Sequence, residues 1–222
     1  MSPGSASAAL AVRRHDPLRL PVAKRLLDIG LAGAGLVASS PLWLVLATLI
    51  RLEDRGPVFY SQERAGQSGR PFRVWKFRSM IPDAERHVGA VQATENDPRI
   101  TRIGRLMRAT AMDELPQLWN IFVGDMSFVG PRALRPGEIE VVGSGRLEAL
   151  EDVPGYAERC LLRPGLTGIA QIYARRDITR RRKFRYDRLY ISRQSFSLDV
   201  RLIVLSFWIT FRGRWEARSG KV

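Results

Sequence analysis

"LLDIGLAGAGLVASSPLWLVLATLI" occupies residues 26–50 and carries a single charge, Asp28, in 25 residues. As a straight helix it would reach about 37 Å at 1.5 Å per residue, enough for a hydrocarbon layer of about 30 Å. Length and hydropathy alone predict a spanning helix, but two features argue against one. Pro41 has no amide hydrogen and its ring collides with the carbonyl of Val37, so a bend is expected there. Ser39 and Ser40 stand just before it and can bond the freed carbonyls, which makes a break tolerable in lipid. The arms on either side are about 22 Å and 15 Å long, and neither crosses alone. The second feature is charge: Lys24 and Arg25 precede the run, and Arg51 and Arg55 follow it. Basic flanks favour the cytoplasmic side, and here both ends carry them. A re-entrant helix-break-helix turning at Ser40 and Pro41 satisfies both flanks and is favoured. A proline-kinked spanning helix is the main alternative, and a soluble core helix is the third.

Around this segment the chain divides into four parts. Residues 1–21 read as a tail of small residues and prolines, with neither the sustained apolar run nor the cleavage signal of a secretory leader. Residues 22–55 hold the membrane helix, 56–213 a cytoplasmic globular domain, and 214–222 a C-terminal tail. No internal repeat is present. The fold class expected is α+β, mostly α, with one short β-hairpin and interfacial amphipathic helices.

Composition narrows the chemistry. The 222 residues carry a net charge of +14, and four of the 36 basic residues are lysines, leaving 32 arginines. Arginine's planar fork fits phosphate, so nucleic acid, anionic lipid or a phosphorylated small molecule is the expected partner. Genomic base composition accounts equally well for much of the surface arginine. Cys160 is the only cysteine, and His15 and His87 are the only histidines. An intrachain disulfide and a thiolate cluster are excluded, and a histidine relay or histidine zinc site is disfavoured. Carboxylates, arginines and an oxygen-bound divalent ion remain.

"GPVFYSQERAGQSGRPFRVWKFRSM", 56–80, reads as two strands about a Gly-rich turn. Phe72, Val74 and Lys76 alternate with Arg73, Trp75 and Phe77. Lys76 and Arg78 close it as solvated charges or phosphate contacts. A polar helix is expected over 81–98, stopped at Pro98. A further helix carries Ile100, Ile103, Leu106 and Met107 on one side and Arg102, Arg105 and Arg108 on another. The next is expected to start at Asp113 and Glu114, with Asp113 as N-cap, Pro116 in the first turn, and a stripe of Leu115, Leu118, Trp119 and Phe122.

On that geometry Asp113 is merely a cap and Glu114 a first-turn acid. A second reading uses the same residues. A carboxylate at a helix start is ionised at neutral pH and can attack phosphorus without a general base. It needs relief from the charge of its target, which Arg108, Arg132 and a magnesium ion could supply. Magnesium commonly takes only one or two protein carboxylates, so the pair suffices. Further on, Arg132 and Arg135 stand around turns, as do Arg163, Arg175 and Arg176. The basic run 175–188 reads as a solvated face or a grip on anionic lipid headgroups. "SLDVRLIVLSFWITFRGRW", 197–215, suits an interfacial helix with Trp208 and Trp215 at headgroup depth, or equally a buried terminal helix.

Seven ordered motifs, "KRLLD", "SSP", "KFRSM", "MDELPQLWN", "GDMSFVGPR", "RPGLTGIAQ" and "YDRLYI", resemble the bacterial sugar transferase family, the monotopic phosphoglycosyl transferases, over roughly residues 22 to 213. The resemblance implies transfer of a sugar-1-phosphate from a UDP-sugar to polyprenol phosphate, releasing UMP and opening surface polysaccharide assembly. It implies a re-entrant helix bent at Ser40 and Pro41, with the site at the cytoplasmic face of the bacterial inner membrane. The family's acid dyad falls on Asp113 and Glu114, Asp113 forming a phosphosugar-aspartyl intermediate in a ping-pong sequence and both acids holding Mg2+. Arg108, Arg132 and Arg175 match motif arginines and are expected to bind phosphate, as is Lys76. UDP-sugar, polyprenol phosphate and anionic lipids are the partners implied; nucleic acid is not expected, and a homodimer is an open expectation.

The chain departs from the family pattern at Ile169, at Tyr173-Ala174 and between Asp177 and Lys183, near the region expected to recognise nucleotide or sugar. Larger relatives carry an added membrane domain in front, so this chain reads as the minimal catalytic form. A non-catalytic membrane scaffold and a basic nucleic-acid-binding protein are the rival readings. The latter leaves the 26–50 segment unexplained.

Overall fold

A computed structural model describes residues 21–84, 97–142, 146–175 and 178–212. The expected N-terminal tail before residue 21, most of the polar helix over 81–98, Arg176, Asp177 and Trp215 lie outside the described residues.

Helix α1, Val22–Asp54, is one continuous helix through Pro41, in place of the two separated arms expected from the proline. The Ser40 hydroxyl donates to the Val37 carbonyl at 2.8 Å, the group that Pro41 leaves without its usual donor. Ser39 Oγ accepts from Trp43 Nε1 at 3.0 Å. Helical backbone therefore persists across the proline because a side chain replaces the missing bond.

Both ends of α1 are bonded to the same body. Near its start, buried Lys24 donates to Asp199 at 2.8 Å, to the Val129 carbonyl at 3.0 Å and to Tyr190 at 3.2 Å. Arg25 donates to the carbonyls of Ile121 and Phe122, each at 2.7 Å. Asp28 accepts the Phe128 N–H at 3.0 Å, while neighbouring Lys24 pairs with Asp199. At the other end Asp54 pairs with Arg78, and Glu53 accepts two backbone N–H groups from the helix that begins at Arg102.

The expected hairpin is present. Strands β1, Phe59–Ala65, and β2, Pro71–Phe77, pair antiparallel, with Phe59 opposite Phe77 and Ala65 opposite Pro71. Helix α2 follows at Arg102–Ala109, capped by Thr101, then a single tight turn over Met112–Glu114 and helix α3 at Gln117–Val123. Strands β3, Ser127–Val129, and β6, Gly165–Thr167, run parallel; between them stand the hairpin β4–β5, Ile139–Val142 and Arg146–Ala149, and helix α4, Tyr156–Arg159. Helices α5, Ile169–Tyr173, α6, Arg180–Arg193, and α7, Phe196–Phe211, complete the described fold.

The main core joins Ala32 of α1 to Val74, Leu118, Ile121, Phe128, Tyr190 and Leu202. A second apolar cluster places Leu46 and Ile50 of α1 against Phe77 and Met107. In α3 the apolar stripe is divided. Leu118 and Ile121 face inward, while Trp119 and Phe122 stack on one another at 6.0 Å and are exposed. Helix α7 is packed on one side and bare on the other: Asp199, Leu202, Ile203 and Ile209 are buried, while Phe196, Val200, Val204, Phe207, Trp208 and Phe211 form an exposed apolar stripe. An exposed patch of that kind, continuous along a helix, is the mark of an interaction surface.

Candidate active site

Asp113 is not the helix cap that local spacing predicts. Helix α3 starts four residues later, after Pro116, and no side chain caps it. The chain instead leaves α2, passes Ala111 in the left-handed conformation at φ 54°, and presents Asp113 and Glu114 on the short turn Met112–Glu114. A residue with a Cβ held there costs of order 1–3 kcal/mol, so the surrounding structure must over-determine the turn. Asp113 is buried yet lines a cavity of about 850 Å³, within the range of small-molecule sites.

The cavity lies beside the β1–β2 hairpin and the 79–84 segment, and five of its lining residues are basic: Arg64, Lys76, Arg78, Arg108 and Arg135. Arg78 does not act there as a free charge, contrary to both roles expected of it. Its guanidinium is buried and forked onto Asp54, with further donation to the carbonyls of Pro57 at 2.5 Å and Met80 at 3.2 Å. The remaining basic side chains still outweigh the two lining acids, Asp83 and Asp113. Such a cavity favours an anionic occupant.

Lys76 donates to Glu114 Oε1 at 2.6 Å, both side chains being largely buried. Burial pushes the Glu114 carboxyl up, but the charges of Lys76 and Arg132 and the Lys76 hydrogen bond outweigh it and hold the carboxyl at about 2. Glu114 is therefore ionised throughout the range in which the protein works. Arg64, on β1, donates to Gln62 at 2.6 Å and to the Ala133 carbonyl at 3.3 Å. Burial, then the neighbouring charges of Arg132 and Arg135, lower its guanidinium to about 10. Three arginines crowded at one end of the site repel each other, and a bound anion would relieve them.

The loop carrying Arg132 is tied to β6: Gly130 N–H donates to Thr167 O at 2.9 Å and Gly165 N–H to Pro131 O at 2.8 Å. A Cβ on Gly165 would lie 2.0 Å from Gly130 N, so only glycine permits this approach.

The structure thus brings together Lys76, Arg108, Asp113 and Glu114, with Arg132 within electrostatic reach of Glu114. Arg175 is exposed after α5 and does not line the cavity. Arg64 was not singled out from the sequence, where it reads as an ordinary strand residue; on β1 it shares a face with Gln62 and with Tyr60, which stands opposite Lys76 on β2, and that period-2 spacing was the available signal. Among the described residues no group of three or more His, Cys, Asp or Glu side chains could hold a metal ion. Two adjacent carboxylates remain a sufficient protein contribution for magnesium, whose other ligands come from phosphate and water.

The model of the family described as Bacterial sugar transferase matches residues 20–213. The chain is 40% identical over 195 residues to the UDP-glucose:undecaprenyl-phosphate glucose-1-phosphate transferase of Klebsiella pneumoniae, which covers 86% of this chain and 40% of that protein. It is 40% identical over 187 residues to the exopolysaccharide production protein PSS of Rhizobium leguminosarum bv. phaseoli, covering 82% of this chain and 92% of that one. Over 136 residues it is 46% identical to a Bacillus subtilis protein named as a putative undecaprenyl-phosphate N-acetylgalactosaminyl 1-phosphate transferase, covering 61% and 72%. The chain therefore spans less than half of the first of these relatives and nearly all of the second. With the family model matched from end to end of the described fold, the chain belongs to the bacterial sugar transferase family.

Proposed function

We propose that the chain transfers a sugar-1-phosphate from a UDP-sugar to polyprenol phosphate, releasing UMP, through a covalent intermediate on Asp113. The observation that carries this is the placement of Asp113: a buried carboxylate lining a basic cavity beside a second acid that Lys76 and Arg132 hold well below the usual carboxylate range. The Klebsiella relative's name specifies UDP-glucose and undecaprenyl phosphate, and the Bacillus relative's name undecaprenyl phosphate; the same substrate classes suit this cavity.

In the first half-reaction an Asp113 carboxylate oxygen attacks the β-phosphorus of the UDP-sugar. The bond from that phosphorus to the bridging oxygen breaks, and its electron pair leaves with UMP. In the second, an oxygen of polyprenol phosphate attacks the same phosphorus and expels the Asp113 carboxylate, giving the polyprenyl diphosphate sugar. Neither step needs a base to deprotonate its nucleophile, which suits a site poor in histidine. Lys76, Arg108, Arg132 and Arg64 would orient the phosphates and offset their charge. Asp113 and Glu114 would hold Mg2+, which when bound supplies further neutralisation of the diphosphate.

The seat we propose is monotopic, on the cytoplasmic face of the inner membrane, with α1 entering and leaving on one side. Attachment of both ends of α1 to one body supports it, as do basic residues at both ends. The exposed apolar stripe of α7, with Arg212 lying 4.6 Å from the Trp208 ring, would rest in the headgroup layer. Exposed Arg181, Arg182, Arg185 and Arg188 of α6 would meet anionic lipid.

The test is UMP release from a panel of UDP-sugars by membranes supplied with polyprenol phosphate and magnesium. Asp113→Asn is expected to abolish it and to prevent capture of radiolabelled sugar phosphate on the protein. Wild-type turnover retained in Asp113→Asn would end the proposal.

A further inference from the structure

We propose that Glu53 and Asp54, the last two residues of α1, are positioning residues that hold the two halves of the active site in register with the membrane helix. The inference rests on the reading of Asp113 and Lys76 just given.

Carboxylates are out of place at the C-terminal end of a helix, where the backbone dipole disfavours negative charge. Here each has a specific partner outside α1. Asp54 takes the fork of Arg78, Nη1 at 2.5 Å from Oδ2 with Nη2 on Oδ1. Arg78 lies two residues beyond Lys76, and its own N–H donates to Val58 O at 2.9 Å, continuing the β1–β2 ladder. Gripping Arg78 therefore sets the end of the strand that presents Lys76 to Glu114. Glu53 takes the other branch. Its Oε1 accepts the Arg102 N–H at 2.7 Å and its Oε2 the Ile103 N–H at 3.2 Å. These are first-turn donors of α2 that have no partner within that helix. The far end of α2 carries Arg108 and runs through Ala111 into Asp113.

The two branches also touch each other. Thr101 N–H donates to Ser79 O at 3.2 Å, and a Cβ on Gly104 would lie 2.0 Å from that same oxygen. Beneath this junction Leu46 and Ile50 pack on Phe77 and Met107, one residue from each branch. Strand and helix thus meet the nucleophile from two directions, and α1 is the part common to both. A displacement of α1 in the lipid would shift Lys76 and Asp113 together only while both carboxylates keep their grips.

The experiment compares Asp54→Asn, Glu53→Ala and Leu150→Ala in the full chain in membranes, reading Tm, kcat and donor KM. Leu150 is fully buried in a separate cluster with Leu134, Val153 and Tyr156, so its truncation lowers Tm without touching either branch. Asp54→Asn and Glu53→Ala are expected to lower kcat by about 10- to 100-fold, the scale of a misplacement near 1 Å, with little change in donor KM. Leu150→Ala, at an equal or larger loss of Tm, is expected to keep its kcat. Arg78→Lys is expected to fail like Asp54→Asn, because an ammonium cannot make the fork. Glu53→Ala leaves the Asp54–Arg78 pair intact and decides the matter if Asp54→Asn does not accumulate. A kcat in the two acid variants no lower than in Leu150→Ala overturns the inference. If Asp113→Asn in the same series retains turnover, the reading of the site falls instead, and this inference with it.

Discussion

Lys76→Met is the perturbation from which the electrostatics of the site can be read most directly. Lys76 lies 2.6 Å from Glu114, and with Arg132 it holds that carboxyl at about 2 against an ordinary 4.5. That interval is worth about 3 kcal/mol of preference for the charged form. A carboxyl depressed in the folded state adds stability that is fully present above 4.5 and is lost as pH falls from there towards 2. With Lys76 replaced, burial remains and only Arg132 and the Gln117 hydrogen bond oppose it, so the carboxyl rises and the contribution shrinks or reverses. The expected loss at pH 7 is about 2–3 kcal/mol, the lower end allowing for solvent around exposed Arg132. The gap between wild type and variant should narrow as pH falls, because protonating Glu114 removes the uncompensated charge. Thermal unfolding in detergent between pH 7 and pH 3 measures it. A gap of constant size across that range would refute the account and leave only lost packing.

Three other perturbations bear on the fold and the site. Lys24→Met or Asp199→Asn, each breaking a nearly fully buried pair, should cost about 3–5 kcal/mol, and Lys24→Met with Asp199→Leu should recover much of it; thermal melts of the three variants check this. Gly104→Ala places a methyl 2.0 Å from Ser79 O and forces α2 away from β2, so UMP release should fall sharply, while Gly30→Ala, with open space around it, serves as the silent control. Arg64→Gln should raise donor KM more than it lowers kcat, since it removes charge from the arginine cluster without touching Asp113; steady-state kinetics over a donor series decide it.

Much of the local architecture was legible in the chain. Alternation along 71–77 anticipated a strand, and the Gly-rich turn before it anticipated the hairpin, because both depend on neighbours within a few residues. Ser39 and Ser40 were both legible as donors to the freed carbonyls; Ser40 takes that role on Val37, three residues away, while Ser39 accepts from Trp43. Where distant segments compete for a residue, local spacing misled. Asp113 has the residue type of an N-cap, yet the turn after Ala111 removes it from the helix and gives it to the cavity. Arg78 resembles a solvated strand-end charge, yet Asp54, 24 residues earlier, takes it out of solvent. The stripe on α3 is apolar on two sides, and periodicity does not tell the core side from the side left exposed with Trp119 and Phe122.

By itself, then, the sequence determined the family, through motifs in a set order, and the elements whose causes are short-range: the apolar segment, though not its helical continuity through Pro41, the hairpin and the acid pair. Only the tertiary structure decided what those elements hold. Lys24 and Asp199 stand 175 positions apart, and no pattern of neighbours records that they meet. The same contacts join both ends of α1 to one body and bring Arg64 to the cavity of Asp113. The physical reason is that periodicity reports which face of an element is apolar, whereas buried charges find their partners by packing between elements, which exists only once the chain has closed on itself.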